Sequence, residues 1–252
     1  MEQLHNIEYI HGVSYPGMCK KTGIKINNIE YLLKFSETKA ERINLCSENL
    51  GIALCNQISL KTSDVKLVLH DTKLCLLSKK WEIAEDEQYF PLASFYEELI
   101  DVMDEVPFTY ELFKLIIKRK APKMYDEILN SFWGVFIIDF LICNYRSAGN
   151  IGFLHDGEVR LSPIFDCSTA LESCCDERFK NLHFPSKLMD FGIEYQSSYS
   201  VLLSYPDEHK DVMLEKAKSL LNIEELRESI SCSEEEYIIN VISYRYKTLF
   251  QL

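Results

Sequence analysis

The sequence predicts an α+β chain in two unequal parts: a β-rich N-terminal part over residues 1–79 and a mainly helical C-terminal part over 80–252. Three observations carry this. Short apolar runs separated by Asn27-Asn28 and Asp71-Thr72 occupy much of the first part. From Leu92 onward apolar residues recur at helical spacing. Within 144–171 that spacing gives way to a short hairpin turning at Asp156-Gly157.

The 252 residues are 47% hydrophobic and 26% charged, which suits one large domain or two lobes with ample core. A net charge of −12 argues against nucleic acid or an anionic membrane as main partner, because both reward a basic surface. Nine cysteines, an odd number with no C-x-x-C among them, point to reduced thiols. Cys143 and Cys167, beside the central stretch, read as small buried hydrophobes. The N-terminus has no basic segment followed by an apolar core, so no signal peptide is expected. The expected location is the cytoplasm, or delivery from it without a cleavable signal. The longest apolar run, Val135 to Ile142, is interrupted by Asp139 and is too short to span a bilayer. The six histidines lie far apart and suggest no zinc site. No Walker A, G-x-S-x-G or H-E-x-x-H pattern occurs.

In order, residues 8–35 read as strand and turn material. Gly12 to Lys21 read as a polar, glycine-containing loop with Ser14, Gly17, Lys20 and Lys21. Ile24-Lys25-Ile26 alternates, Asn27-Asn28 turns, and Tyr31 to Phe35 read as a buried strand holding one cation, Lys34. Residues 40–57 have helical spacing, with Ile43, Leu50, Leu54 and Ile58 able to share a face. Val65–Leu69 and Lys73–Leu77 flank His70-Asp71-Thr72 as a second hairpin, leaving through Ser78-Lys79-Lys80-Trp81. The acidic run Glu82 to Glu87 reads as a solvated loop. Helices are predicted over 92–103, 108–119 and 122–143, with Pro107 and Pro122 near helix starts. Residues 172–206 read as irregular. Helices over 207–221, 223–231 and 233–250 close the chain, the last opened by a capping box of Ser233 and Glu236.

The stretch from Trp133 to Leu171 organises the rest. An apolar run ends in a polar loop carrying Asn150, the hairpin follows, and its second strand delivers Asp166. An amide oxygen and a carboxylate brought to one point suit Mg²⁺, which keeps several waters and is usually shared with phosphates. Asp139, Leu141, Ile142, Asn144, Asn150, Leu161, Pro163, Phe165 and Asp166 resemble the pattern D-x-L-I-x-N-x-D-R-H-x-x-N, hairpin, L-x-P-x-F/Y-D. That is the pattern of the HipA-like Ser/Thr protein kinases, and the similarity is closest to their short, CtkA-type (proinflammatory kinase) members. It covers roughly residues 10–250.

The resemblance implies a bilobal protein-kinase-like fold that takes ATP and Mg²⁺. It implies that Ser14, Gly17 and Lys20 or Lys21 cover the phosphates and that Lys34 contacts them. Glu48, in Ser47-Glu48-Asn49-Leu50-Gly51, would orient Lys34, with Glu41 as the competing candidate. The adenine would meet backbone around Leu76–Ser78, and Asn150 and Asp166 would hold the metal. His183 to Lys187 would form a substrate-side loop.

One position departs from the pattern. The segment between Asn144 and Asn150 is one residue short and lacks the catalytic Asp. Ordinary kinase spacing places Tyr145 there, and tyrosine titrates near about 10, too high for a base at neutral pH. Arg146 cannot act as a base. Asp139, on the preceding helix, lies too deep and takes a structural hydrogen-bonding role. Glu172 or Asp176 could reach in from the following segment. The expectation is therefore an impaired phosphotransferase. Alternatives are a non-catalytic ATP-binding pseudokinase or interaction module, and a small-molecule or lipid-headgroup kinase. The expected partner is a protein substrate or regulator; the larger HipA toxins' own partner is not carried over.

Overall fold

The computed structural model describes residues 1–12, 20–81, 83, 87–91, 94, 110–142, 144, 146, 150–167, 205–220, 227, 230 and 235–250. Its first part is built on two hairpins. Strands β3 (Lys21–Ile26) and β4 (Ile29–Phe35) are joined by Asn27-Asn28, with φ of 51° and 66°. Strands β5 (Val65–His70) and β6 (Lys73–Lys79) are joined by Asp71-Thr72, with φ of 48° and 66°. Two-residue turns with both φ positive match the twist of the flanking strands, and Asn and Asp tolerate that region. With β1 (Glu2–Gln3) and β2 (Glu8–Ile10) these strands form a six-stranded sheet ordered β1-β5-β6-β4-β3-β2, antiparallel except for the parallel β1–β5 pair.

Side chains alternate across this sheet. Ile24, Leu33, Val68, Cys75 and Leu77 form a small apolar cluster that Leu4 completes. Lys34, next to Leu33, therefore faces the other way, toward α1 (Lys39–Gln57). Helix α1 opens with a capping box: Thr38 Oγ1 accepts from Glu41 N–H, and the Glu41 carboxylate accepts from Thr38 N–H. Glu41 is thus occupied at the helix start. Ile43, Leu50 and Leu54 are buried as their spacing predicts.

In the second part, α2 (Tyr110–Lys120), α3 (Tyr125–Ile142), α4 (Glu208–Ala217) and α5 (Glu235–Phe250) share one apolar core with α1. The expectation of one helix from 122 is corrected. Pro122–Met124 is a 3₁₀ turn, and α3 begins at Tyr125. Helix α3 is buried almost continuously from Ile128 to Ile142, which explains why its sequence is apolar on every face. Among the described residues, no helix is long and apolar enough to cross a membrane. Gly51 allows α1 to approach α3, since a Cβ there would lie 2.7 Å from Ile142 Cδ1 and 2.8 Å from Cys167 Cβ.

Strands β8 (Gly152–His155) and β9 (Val159–Leu161) form the expected hairpin, with Gly157 at φ 101°. A strand absent from the sequence reading, β7 (Gln88–Pro91), pairs with β8. It overturns part of the solvated acidic loop: Glu87 is buried and accepts a hydrogen bond from Arg160 on β9. A charge so far out of water needs a paired countercharge, and Arg160 supplies it. The helices predicted over 92–103 and 223–231 lie almost wholly outside the described residues. So do Ser233, the polar loop at 13–19, and the irregular segment as far as 204.

Candidate functional site

Four of the residues singled out in the sequence converge. Lys34 arrives on β4, between Lys21 of β3 and Leu76 of β6. Its Nζ lies 2.8 and 2.7 Å from the two oxygens of Glu48, one turn before the Gly51 crossing on α1. The same Nζ lies 3.2 Å from Asp166 Oδ1. The other Asp166 oxygen accepts from Asn150 Nδ2 at 2.9 Å. Glu48, rather than Glu41, is therefore the carboxylate that meets Lys34.

Local backbone contacts bring Asp166 to this point. Ser63 N–H donates to Ile164 O (2.9 Å) and Ile164 N–H to Lys61 O (2.8 Å), which ties the chain after β9 to the segment between α1 and β5. Ser47 Oγ donates to Cys167 O, tying it also to α1. Asp166 itself has φ 54°, in the left-handed region that Asp enters more readily than most side chains. Local strain of this kind is characteristic of residues that must be aimed.

Burial works against the Lys34 ammonium, but the Glu48 and Asp166 carboxylates outweigh it and hold its pKa above the usual lysine range. Burial pushes the Glu48 carboxyl up, opposed by Lys34. With both Glu48 oxygens on one ammonium, the geometry is that of an ion pair.

A cavity of about 280 Å³ opens beside the pair. Lys34, Glu48 and Asp166 line it together with Leu32, Ser63, Ser78 to Trp81, Ile83 and Phe165. The Trp81 ring lies against Phe165 and Tyr89, at centroid distances of 5.2 and 5.5 Å, and Trp81 Nε1 donates to Ser63 Oγ. Of the residues expected to meet a base, Ser78 lines this cavity and Leu76 does not. Leu76 is fully buried in a central strand, paired with Lys34 on one side and Leu67 on the other, so its backbone is enclosed by the sheet. The cavity wall begins at Ser78 and runs into Trp81.

The remaining predicted residues divide clearly. Lys20 is exposed and pairs with Glu37 at 3.2 Å. Ser14, Gly17, Cys143, Tyr145, Glu172, Asp176 and the loop from His183 to Lys187 lie outside the described residues. Asp139 is buried and fully engaged: Asn144 Nδ2 donates to it at 2.8 Å, and Arg146 at 2.6 and 3.0 Å. Burial pushes its carboxyl up, against Arg146. That is the structural role expected of it. Cys167 is buried as expected, and a hydrogen bond with it, then burial, push the Cys55 thiol up, away from the reactive thiolate. Sequence reasoning missed Trp81 and Ser63 as cavity walls and Arg146 as a ligand of its own loop. An aromatic directly after Lys79-Lys80, at a strand exit, was the one available signal.

The fold has counterparts. The proinflammatory kinase CtkA of Helicobacter pylori superposes with a TM-score of 0.73 at 19% identity, over 98% of this chain and 94% of that one. The chain has the CtkA kinase fold. HipA of Shewanella oneidensis MR-1, solved in a toxin–antitoxin complex with HipB and its operator DNA, superposes at 0.60 and 11% identity, over 95% of this chain and 66% of that one. No protein-family model and no curated protein matches the sequence. At these identities the likeness carries the CtkA-type fold, and the roles of Lys34, Glu48, Asn150 and Asp166 rest on their geometry.

Proposed function

We propose that this chain is an ATP- and Mg²⁺-dependent phosphotransferase acting on a protein Ser or Thr hydroxyl, slowed by loss of the catalytic-loop Asp. The observation that carries this reading is Lys34, held at once by Glu48 and Asp166 in the lining of a cavity. In kinases a strand lysine paired with a helix glutamate, and an Asp that binds metal, must both be in place. The donor set fits Mg²⁺. Asn150 and Asp166 bring an amide and a carboxylate together. Among the described residues no group of three or more His, Cys, Asp or Glu could form a dedicated cage. A cation held by few protein ligands and shared with phosphates suits that inventory. Bound there, Mg²⁺ would neutralise phosphate charge. Lys34 would donate to phosphate oxygens with Glu48 fixing its ammonium, and Trp81 and Leu32 would shield the base from water.

The missing base limits the rate. Asp139 cannot substitute, because Arg146 and Asn144 occupy its carboxylate. A positioned general base contributes about 10²–10⁴ in rate. The same occupied carboxylate favours a second reading, a nucleotide-binding pseudokinase. One set of measurements tests both. ATP with Mg²⁺ should raise the melting temperature, since a ligand of the folded state stabilises it, and Asp166→Ala should remove the Mg²⁺-dependent part. Labelled γ-phosphate transfer is then compared between the wild type and a variant with Asp inserted between Tyr145 and Arg146. Slow transfer that the insertion accelerates supports the impaired enzyme. Binding without transfer in either form supports the pseudokinase, and no thermal response to ATP and Mg²⁺ refutes both.

A further inference from the structure

The shortened loop keeps one residue whose contacts reach both halves of the site. Arg146 is buried, and its guanidinium forms a bidentate pair with Asp139 on α3, through Nε at 2.6 Å and Nη2 at 3.0 Å. Nη2 also donates to Cys167 Sγ at 3.0 Å. The remaining nitrogen, Nη1, donates to two backbone carbonyls at once: Asn150 O at 3.2 Å and Phe165 O at 2.6 Å. One carbonyl belongs to Asn150 itself; the other belongs to the residue directly before Asp166. These carbonyls lie at the entrance of β8 and the exit of β9. The strand register itself extends only from Phe153–Leu161 to His155–Val159, with Ser162 N–H to Gly152 O beyond it.

We propose that Arg146 is a positioning residue that sets the placement of Asn150 relative to Asp166, and so the affinity of the site for a divalent cation carried with a nucleotide. The inference rests on the reading of Asn150 and Asp166 as the metal-holding pair. The physical argument is one of valence and shape. A guanidinium is planar, permanently charged and offers five donors in a fixed fork, so it can chelate one carboxylate and still reach carbonyls on its other edge. Asp139 supplies the countercharge that keeps it buried, and Asn144 holds Asp139 through Nδ2 and through Asn144 N–H to Asp139 O at 2.7 Å. Helix α3 thereby fixes the guanidinium, and the guanidinium fixes both ends of the hairpin. Lysine has three donors at a single point and cannot span these partners. Outer partners that orient metal ligands typically change metal affinity by about 10–100-fold when removed.

The test is calorimetric binding of ATP to the full chain, with and without Mg²⁺, for the wild type, Arg146→Lys and Asp139→Asn. The expected result is that Arg146→Lys binds metal-free ATP within about twofold of the wild type but loses about tenfold or more of the Mg²⁺-dependent gain. A general loss of fold would weaken both equally. A folded Arg146→Lys that keeps the full Mg²⁺-dependent gain overturns the proposal. If Arg146→Lys does not fold, Asp139→Asn decides. It keeps the acceptor shape, removes the countercharge, and should show the same selective loss in smaller measure; its absence overturns the proposal. A second readout needs no nucleotide. The Asn150 side-chain amide, whose Nδ2 bonds Asp166, gives an NMR signal assignable by Asn150→Ser. That signal should shift in Arg146→Lys, and an unchanged signal also overturns the proposal. A wild type with no Mg²⁺-dependent gain refutes the phosphotransferase reading instead, and the amide signal still decides the role of Arg146.

Discussion

Replacing Lys34 by Met should destabilise the protein in a pH-dependent way, and the pair geometry gives the magnitude. The Lys34 and Glu48 side chains are 8% and 3% exposed, and both Glu48 oxygens rest on Nζ. Removing one member of a buried pair leaves an uncompensated charge and costs about 3–5 kcal/mol near neutral pH. Asp166 gives no relief, being of the same sign and 31% exposed. Burial already pushes the Glu48 carboxyl above its ordinary 4.5 with Lys34 present, and without Lys34 the push is unopposed. A carboxyl whose pKa is raised in the folded state binds its proton more tightly there. Its contribution favours the fold below the unfolded value and is lost as pH rises through the folded one. The deficit of Lys34→Met relative to wild type should therefore be small near pH 4.5, where Glu48 can protonate, and full near about pH 7.5. The double variant Lys34→Met/Glu48→Leu removes both charges and fills the space. It should return to within about 1 kcal/mol of the wild type, or above it, while abolishing any response to ATP. Urea unfolding followed by tryptophan fluorescence at the two pH values measures both. A deficit equal at both, or a double variant no more stable than the single one, would refute the reasoning.

Three further outcomes are expected. Gly51→Ala gains about 1 kcal/mol of helix preference. Its new methyl would stand 2.7 Å from Ile142 Cδ1 and 2.8 Å from Cys167 Cβ. Overpacking of about 1–3 kcal/mol should win, lowering the melting temperature, and the push on the residue after Asp166 should weaken Mg²⁺-ATP binding as well. Thr38→Ala removes the α1 cap and should cost about 1 kcal/mol in urea unfolding with the ATP response intact. Arg245 on α5 is fully buried; its Nε donates to Phe140 O and its guanidinium lies over the Phe140 ring, but among the described residues Nη1 and Nη2 have no hydrogen-bond partner, and burial brings its pKa down to about 10. That shift from 12.5 corresponds to roughly 3 kcal/mol of unfavourable charge burial. Arg245→Met should accordingly keep or raise stability, and a loss above about 3 kcal/mol would show that its contacts with Phe140 dominate.

The sequence by itself determined the two hairpins of the first part. Their turns depend on residues that tolerate positive φ, and Asn27, Asn28 and Asp71 are such residues wherever the chain goes, whereas β-branched Thr72 is held at φ 66° by the strand pairing around it. It determined α1 through apolar spacing and α3 through the length of its apolar run, and its resemblance to the HipA-like pattern singled out Lys34, Asn150 and Asp166, with Glu48 and Glu41 competing. What it left open turned on partners distant along the chain. Glu41 and Glu48 are both glutamates on one helix. Only the folded chain shows the first closing a cap three residues away and the second meeting a lysine on a strand. Glu87 looked solvated because its countercharge, Arg160, stands 73 positions on. Arg146 was excluded only as a base, because its value as a fork depends on where the carbonyls of Asn150 and Phe165 come to rest. Trp81 became a cavity wall only when Phe165 folded against it. Turns and helix faces follow local backbone energetics, which a short window of residues contains. Ion pairs, bidentate grips and cavities are set by which surfaces the whole chain buries together, and no window contains that.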